Sequence, residues 1–278
     1  MYKLNVLATN KCNAYSLPAQ KNSPGVCAFC FRQEEDSYGD IETVSKVAKK
    51  ISVLPFEKIV TVTGGEPLLY PNIIPLVKEL ANFGKEVSLH TNGILLEEYI
   101  DSFEGCVKYV SLPFDGHKPH IADYYRGVGY YELQKKCMKI LKDRQVKIGL
   151  HTLLTPYNFN EIESMAKYLL SSEYRDDIWY WFIKNFKRMN MSLNGQLDVY
   201  ELDLQKYLDK VEDVRNICSE IDVYPTLKVK QRKPVFINTV GDVYIFNDTV
   251  KKNILAGNIL TMAFEEIEAC LVENGAEE

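Results

Sequence analysis

The stretch KIVTVTGGEPLLYPNIIPLVKELANFGKEVSLHTNG, residues 58–93, decides the architecture. Lys58–Thr63 is a β-branched run that reads as a strand and stops at Gly64-Gly65-Glu66-Pro67. Ile73–Phe83 has helical periodicity, with Pro75 in the first turn, where a missing N–H does no harm. Glu86–Thr91 is a second strand, closed by Asn92-Gly93. Two strands joined through a helix are expected to be parallel neighbours.

The same alternation extends in both directions. Before it come a strand at Lys3–Thr9 and a helix capped by Asp40 and running to about Ile51, with Ile41, Val44, Val47, Ala48 and Ile51 on one face. After it come a short helix at Leu95–Ser102, a strand at Cys106–Leu112, a helix at Tyr130–Lys142, a strand at Gln145–Leu154, a helix at Asn160–Ser171 and an aromatic strand at Ile178–Phe182. Six strands alternating with helices predict an α/β fold with a parallel sheet, and chemistry gathered at the strands' C-terminal ends. Beyond Phe182 the pattern changes to a long helix over Asp203–Glu220, a strand at Val223–Val229, a hairpin at Val235–Asn238 and Asp242–Phe246, and a last helix at Phe264–Leu271. Residues 186–278 therefore read as an appendage on a core of residues 1–185.

Composition narrows the function. Of 278 residues, 46% are hydrophobic and 26% charged, which is ordinary for a globular protein, and a net charge of −5 argues against a general polyanion or nucleic-acid binder. The N-terminus lacks a signal-peptide core and no apolar run is long enough to span a membrane. A cytoplasmic setting is expected, where seven cysteines are metal ligands or buried thiols and not a disulfide framework. Three of them, Cys12, Cys27 and Cys30, lie in one loop after the first strand, CNAYSLPAQKNSPGVCAFC. Three thiolates leave a tetrahedral zinc one ligand short, and leave one iron of an iron–sulfur cube open to a small molecule. A zinc-stabilised binding module without chemistry stays open at this point. In GGEP, the glycines let backbone approach a ligand closely and Glu66 supplies a carboxylate suited to an ammonium group.

Taken together, the three-cysteine loop with Phe29 before its last cysteine, GGEP at 64–67, TNG at 91–93, VSLPFDGHKPHIADYYRGVG at 110–129 and LHTLLTPYN at 150–158 resemble the radical SAM enzyme superfamily. The resemblance covers about residues 1–185. It implies a partial (β/α)6 TIM-like barrel, with Cys12, Cys27 and Cys30 on three irons of a [4Fe–4S] cluster. S-adenosylmethionine (SAM) would occupy the fourth iron, and its reductive cleavage would give a 5′-deoxyadenosyl radical that takes a substrate hydrogen. Position by position it implies Gly64, Gly65 and Glu66 at the methionine amino group and Phe29 beside the adenine. It implies Ser111, Thr91 and His151 around SAM, His151 being also a possible catalytic group, and Arg126 paired with the SAM carboxylate. An electron donor such as flavodoxin or ferredoxin would be a partner.

The sequence departs from the family pattern in three places. Fourteen residues separate Cys12 from Cys27 where three are usual, two extra residues (Pro113 and Phe114) precede Asp115, and His151 stands where many relatives have asparagine. The C-terminal VFINTVGDVYIFNDTVKKNILAGNI resembles a SPASM or twitch region without its auxiliary-cluster cysteines. Within the family the leading substrate expectation is a peptide or peptidyl side chain, and the alternative is a small molecule such as a nucleotide or an amino-acid-derived metabolite.

Overall fold

A computed structural model describes residues 1–14, 38–186, 200–225, 233–247 and 252–276. The strands are β1 (Tyr2–Thr9), β2 (Phe56–Gly64), β3 (Glu86–His90), β4 (Val107–Pro113), β5 (Lys147–Leu154), β6 (Ile178–Asn185), β7 (Val223–Pro225), β8 (Val235–Asn238), β9 (Asp242–Asn247) and β10 (Lys252–Asn258). The helices are α1 (Ile41–Val53), α2 (Ile73–Asn82), α3 (Leu96–Tyr99), α4 (Pro119–Arg126), α5 (Tyr130–Asp143), α6 (Ile162–Ser171), α7 (Leu204–Ile217) and α8 (Phe264–Glu273). All ten strands form one sheet in the order β10-β9-β8-β1-β2-β3-β4-β5-β6-β7. From β1 to β6 each strand pairs in parallel with the next, as the α/β reading expects.

Strand alternation splits the sheet into two unlike faces. One face carries Leu4, Val6, Val60, Val62, Val87, Leu89, Val110, Leu112, Ile148, Leu150, Trp181 and Ile183, all buried. The helices supply the matching apolar stripes, such as Val44, Val47, Ala48 and Ile51 on α1 and Leu76, Val77 and Leu80 on α2. The other face carries polar and aromatic residues that are largely half-buried, among them Asn5, His90, Tyr109, His151, Tyr180, Phe182 and Lys184. That second face is concave. Tyr180 on β6 reaches within hydrogen-bond range of His90 on β3, whereas three strand spacings on a flat sheet span roughly 14 Å.

Several expectations need correction. Ile41 does not share the buried face of α1; it opens the helix and is 60% exposed. Helix α4, which carries His120, was not among the expected elements; Pro119 starts it at a position suited to proline. Strand β10 was not expected, because KNILAGN alternates weakly and its Leu255 faces solvent. The tail also does more than sit on the sheet. β7 pairs in parallel with β6, β8 pairs in parallel with β1, and β9 and β10 continue outward as antiparallel partners.

Candidate active site

The first site residues collect where β1, β2 and β3 end. After β2 the chain turns at Gly64, with φ of +142°, a conformation that costs a side chain dearly. A Cβ on Gly65 would lie 2.2 Å from the Lys11 carbonyl oxygen, so only glycine lets the two loops touch. They are tied there by Gly65 N donating to Thr9 O at 2.6 Å and Glu66 N donating to Lys11 O at 2.7 Å. The glycine pair of GGEP is thus needed first for backbone against backbone.

Glu66 has no solvent exposure. Its Oε1 accepts from Thr91 Oγ1 at 2.7 Å and Leu68 N at 3.2 Å, and its Oε2 accepts from Asn92 N at 2.7 Å. One carboxylate therefore joins the loops after β2 and β3. Burial pushes its pKa up to about 7, against the three donors, which pull it down. Asn92 extends the connection. Its Nδ2 donates to Asn13 Oδ1 at 2.9 Å and lies 3.8 Å from Cys12 Sγ, while Ala14 N lies 3.5 Å from the same sulfur. Cys12 is half-buried, with two N–H groups aimed at its sulfur, surroundings that suit a ligating thiolate. Cys27, Phe29 and Cys30 lie outside the described residues.

Asp115 and Arg126 form a second group. Asp115 has no solvent exposure, accepts from Arg126 Nε at 2.8 Å through Oδ2 and accepts from Leu153 N at 2.7 Å through Oδ1. Asn158 Nδ2 donates to the carbonyls of Asp115 and Leu153, each at 3.0 Å. This network pins the loop after β4 to α4 and to the end of β5. The Nε edge of Arg126, expected to face SAM, thus has its carboxylate partner inside the chain.

The third group lies within the concave face. His90, Ser111, Gly149 and Tyr180 are register partners across β3, β4, β5 and β6. Gly149 leaves the gap through which Tyr180 reaches across its neighbour strand. A Cβ there would stand 2.5 Å from Ser111 Oγ and 2.7 Å from Tyr180 Cζ. The Tyr180 hydroxyl meets Ser111 Oγ at 2.7 Å, His151 Nε2 at 2.9 Å and His90 Nε2 at 3.4 Å. Burial raises the Tyr180 pKa to about 12. Burial, with Lys184 and Lys3 nearby, lowers that of His90 to about 3. His151 is pushed well below the usual histidine range by burial, Lys184, His90, Lys3 and Arg126. Burial and the lysines beside the rings act in the same direction, so this lumen holds neutral imidazoles.

Of the expected residues, the structure brings Gly64, Gly65, Glu66, Thr91 and Cys12 together at the rim, and Ser111 with His151 in the lumen. Thr91 N, which donates to Ser111 O at 3.2 Å, links the two. Sequence reasoning gave Asn92 no role of its own within TNG and read Tyr180 only as part of an aromatic strand with a face able to stack on a ring. The TNG motif could have signalled Asn92; nothing local marks Tyr180, which becomes central only through register and curvature.

Residues 17–169, more than half of the chain, match the family profile described as the Radical SAM superfamily. That stretch contains Cys27, Cys30, Glu66 and Arg126 and begins after Cys12. Over 184 residues the chain is 30% identical to a GTP 3′,8-cyclase of Peptoclostridium acidaminophilum, covering 61% of this chain and 52% of that protein. The chain thus spans about half the length of the cyclases it matches. In fold it is similar to Streptococcus suis SuiB bound to S-adenosylmethionine, with a TM-score of 0.65 at 15% identity, covering 87% of this chain and 59% of SuiB. SuiB bound to its precursor peptide SuiA superposes similarly, with a TM-score of 0.64 at 14% identity over 87% of this chain and 58% of SuiB. No helix among the described residues is long and apolar enough to cross a membrane.

Proposed function

The chain belongs to the radical SAM superfamily, and on that premise we propose that it cleaves SAM reductively and directs the resulting radical at a small anionic molecule of the nucleotide class. The family implies a [4Fe–4S] cluster and SAM as cofactors, and the residues present fit them. Cys12 is half-buried with N–H groups aimed at its sulfur. Among the described residues no group of three His, Cys, Asp or Glu side chains is placed to hold a metal. The family resemblance assigns the other two ligands of a cluster at Cys12 to Cys27 and Cys30. When bound, such a cluster would supply the electron for reductive cleavage of SAM to methionine and a 5′-deoxyadenosyl radical. Gly64 and Gly65 bring backbone to the cofactor side of the rim, Glu66 fixes the loops after β2 and β3, and Phe29 is assigned to the adenine.

The observation that carries the substrate reading is the row of hydrogen-bonding groups in the lumen, His90, Ser111, His151 and Tyr180, with Lys184 and Lys3 beside the histidines. The cyclase relatives, named for a nucleotide, support it. A peptidyl side chain is the second reading, favoured by the fold likeness to peptide-bound SuiB across both core and tail. The tail beyond residue 185 is proposed as a cluster-free SPASM-like region grown onto both edges of the core. Its two cysteines, Cys218 and Cys270, lie far apart in sequence. A small one-electron carrier would serve as donor in a cytoplasmic setting.

Anaerobic reconstitution tests the proposal. About four irons per chain and 5′-deoxyadenosine formed under dithionite are expected; one zinc and no SAM cleavage would sink the enzyme reading altogether. With carbon-deuterated GTP, deuterium should appear in 5′-deoxyadenosine. Stimulation by peptides but by no nucleotide would move the substrate to the second reading.

A further inference from the structure

The Tyr180 hydroxyl has one proton and three polar neighbours from three other strands. Its shorter imidazole contact is with His151 Nε2 at 2.9 Å and its longer one with His90 Nε2 at 3.4 Å. The two rings are edge to face, with centroids 4.7 Å apart. Among the described residues neither Nδ1 has a hydrogen-bond partner, and neither is sealed off from solvent. Each ring therefore turns one nitrogen to Tyr180 and leaves the other for whatever enters the lumen.

This arrangement couples the tautomers. If Tyr180 donates to His151 Nε2, then His151 carries its proton on Nδ1 and offers a donor. The Tyr180 oxygen is then an acceptor for His90 Nε2–H, which leaves His90 Nδ1 an acceptor. Reversing every bond exchanges the two roles. A charged state is disfavoured by burial, to which Lys184 on β6, Lys3 on β1, Arg126 on α4 (itself paired with Asp115) and the other ring add.

We propose that His90, Tyr180 and His151 form a neutral proton relay that takes a proton from one substrate atom and returns one to a neighbouring atom. In one turn a substrate N–H or O–H proton bonds to His90 Nδ1, and the His90 Nε2 proton moves to Tyr180 Oη. The Tyr180 proton then moves to His151 Nε2, and the His151 Nδ1 proton leaves for the substrate acceptor. Four bonds to hydrogen break and four form, no electrons change hands and no ring becomes charged. The relay suits a substrate edge with adjacent donor and acceptor, such as the lactam edge of a purine base. His151 thereby serves substrate and not SAM, while Tyr180 is a positioning residue that acts through both rings. The substrate assignment rests on the nucleotide reading above; the tautomer coupling does not.

The test is ¹⁵N NMR of histidine-labelled full-length chain, which contains four histidines, recorded with and without cluster and SAM. His90 and His151 should be neutral from pH 7 down to pH 5 and in opposite tautomers. Tyr180→Phe should abolish that opposition, while Asp40→Ala, at the cap of α1 and away from the lumen, should keep it. Identical tautomers in the wild-type chain, or an imidazolium at pH 7 on either residue, would overturn the relay without any variant being needed. In turnover with GTP, the wild-type solvent deuterium isotope effect on product formation should be lost in Tyr180→Phe, with product formed at least tenfold more slowly; an unchanged isotope effect also overturns it. Absence of SAM cleavage would defeat the proposed function and leave the tautomer result standing.

Discussion

The rim of β1–β3 and the lumen of β3–β6 are each organised around one buried side-chain group, but the two groups differ in kind. Glu66 is an acceptor met by three donors, two of them backbone N–H groups. Tyr180 is at once donor and acceptor, met by side chains from three strands. An acceptor clamped by backbone fixes geometry and has little freedom to rearrange. A hydroxyl among imidazoles can reverse its bonds at little cost, so the lumen is suited to moving protons and the rim to holding a cofactor still.

That contrast can be broken in four ways. The largest effect belongs to Cys12→Ala, which removes a proposed cluster ligand from the rim and should abolish the cluster's visible absorbance and SAM cleavage. An intact cluster in this variant would mean that Cys12 is not a ligand. Next is Glu66→Ala, which leaves Thr91 Oγ1, Asn92 N and Leu68 N without their acceptor and should cost about 3 kcal/mol in urea unfolding. The pH dependence has a defined sign. The folded carboxyl binds its proton more tightly than the unfolded one, with a pKa of about 7 against 4.5. Its contribution is full below pH 4.5 and is lost as pH rises through 7. Wild-type stability should therefore fall over that window relative to Glu66→Gln, and parallel profiles would show that the carboxyl is not shifted.

Gly149→Ala attacks the lumen alone. The added methyl overlaps Ser111 and Tyr180, and about 1–3 kcal/mol of destabilisation is expected, with loss of the histidine tautomer pairing and little change in iron content. If iron content falls with it, the two regions are not separable. The smallest effect should come from Asp40→Ala, which removes the cap of α1, where Asp40 Oδ1 accepts from Thr43 N at 2.8 Å. About 1 kcal/mol should be lost with both sites unaffected, which calibrates how far a pure stability change propagates into either.

The rim was legible because its parts are short and local. GGEP, TNG and Cys12 each sit at a strand end, and parallel strands bring such ends together whatever the details of packing. The helix and strand pattern was legible for the same reason, apart from the edge strand β10, whose alternation is weak, and helix α4, which is only eight residues long. Asp115 was left without a role, yet it holds Arg126 and the β5 backbone. Its partners come from residues 11 and 38 positions away, and no local pattern announces such a pair.

By itself the sequence determined a parallel α/β core, a three-cysteine loop and a glycine-glutamate turn, because hydrophobic periodicity and glycine's lack of Cβ act over a few residues. Only the tertiary structure decided what the lumen is. Register set His90, Ser111, Gly149 and Tyr180 in one row, curvature closed the distance from β6 to β3, and the missing side chain at Gly149 let a phenol pass between them. Those are properties of strand pairing across ninety residues of chain.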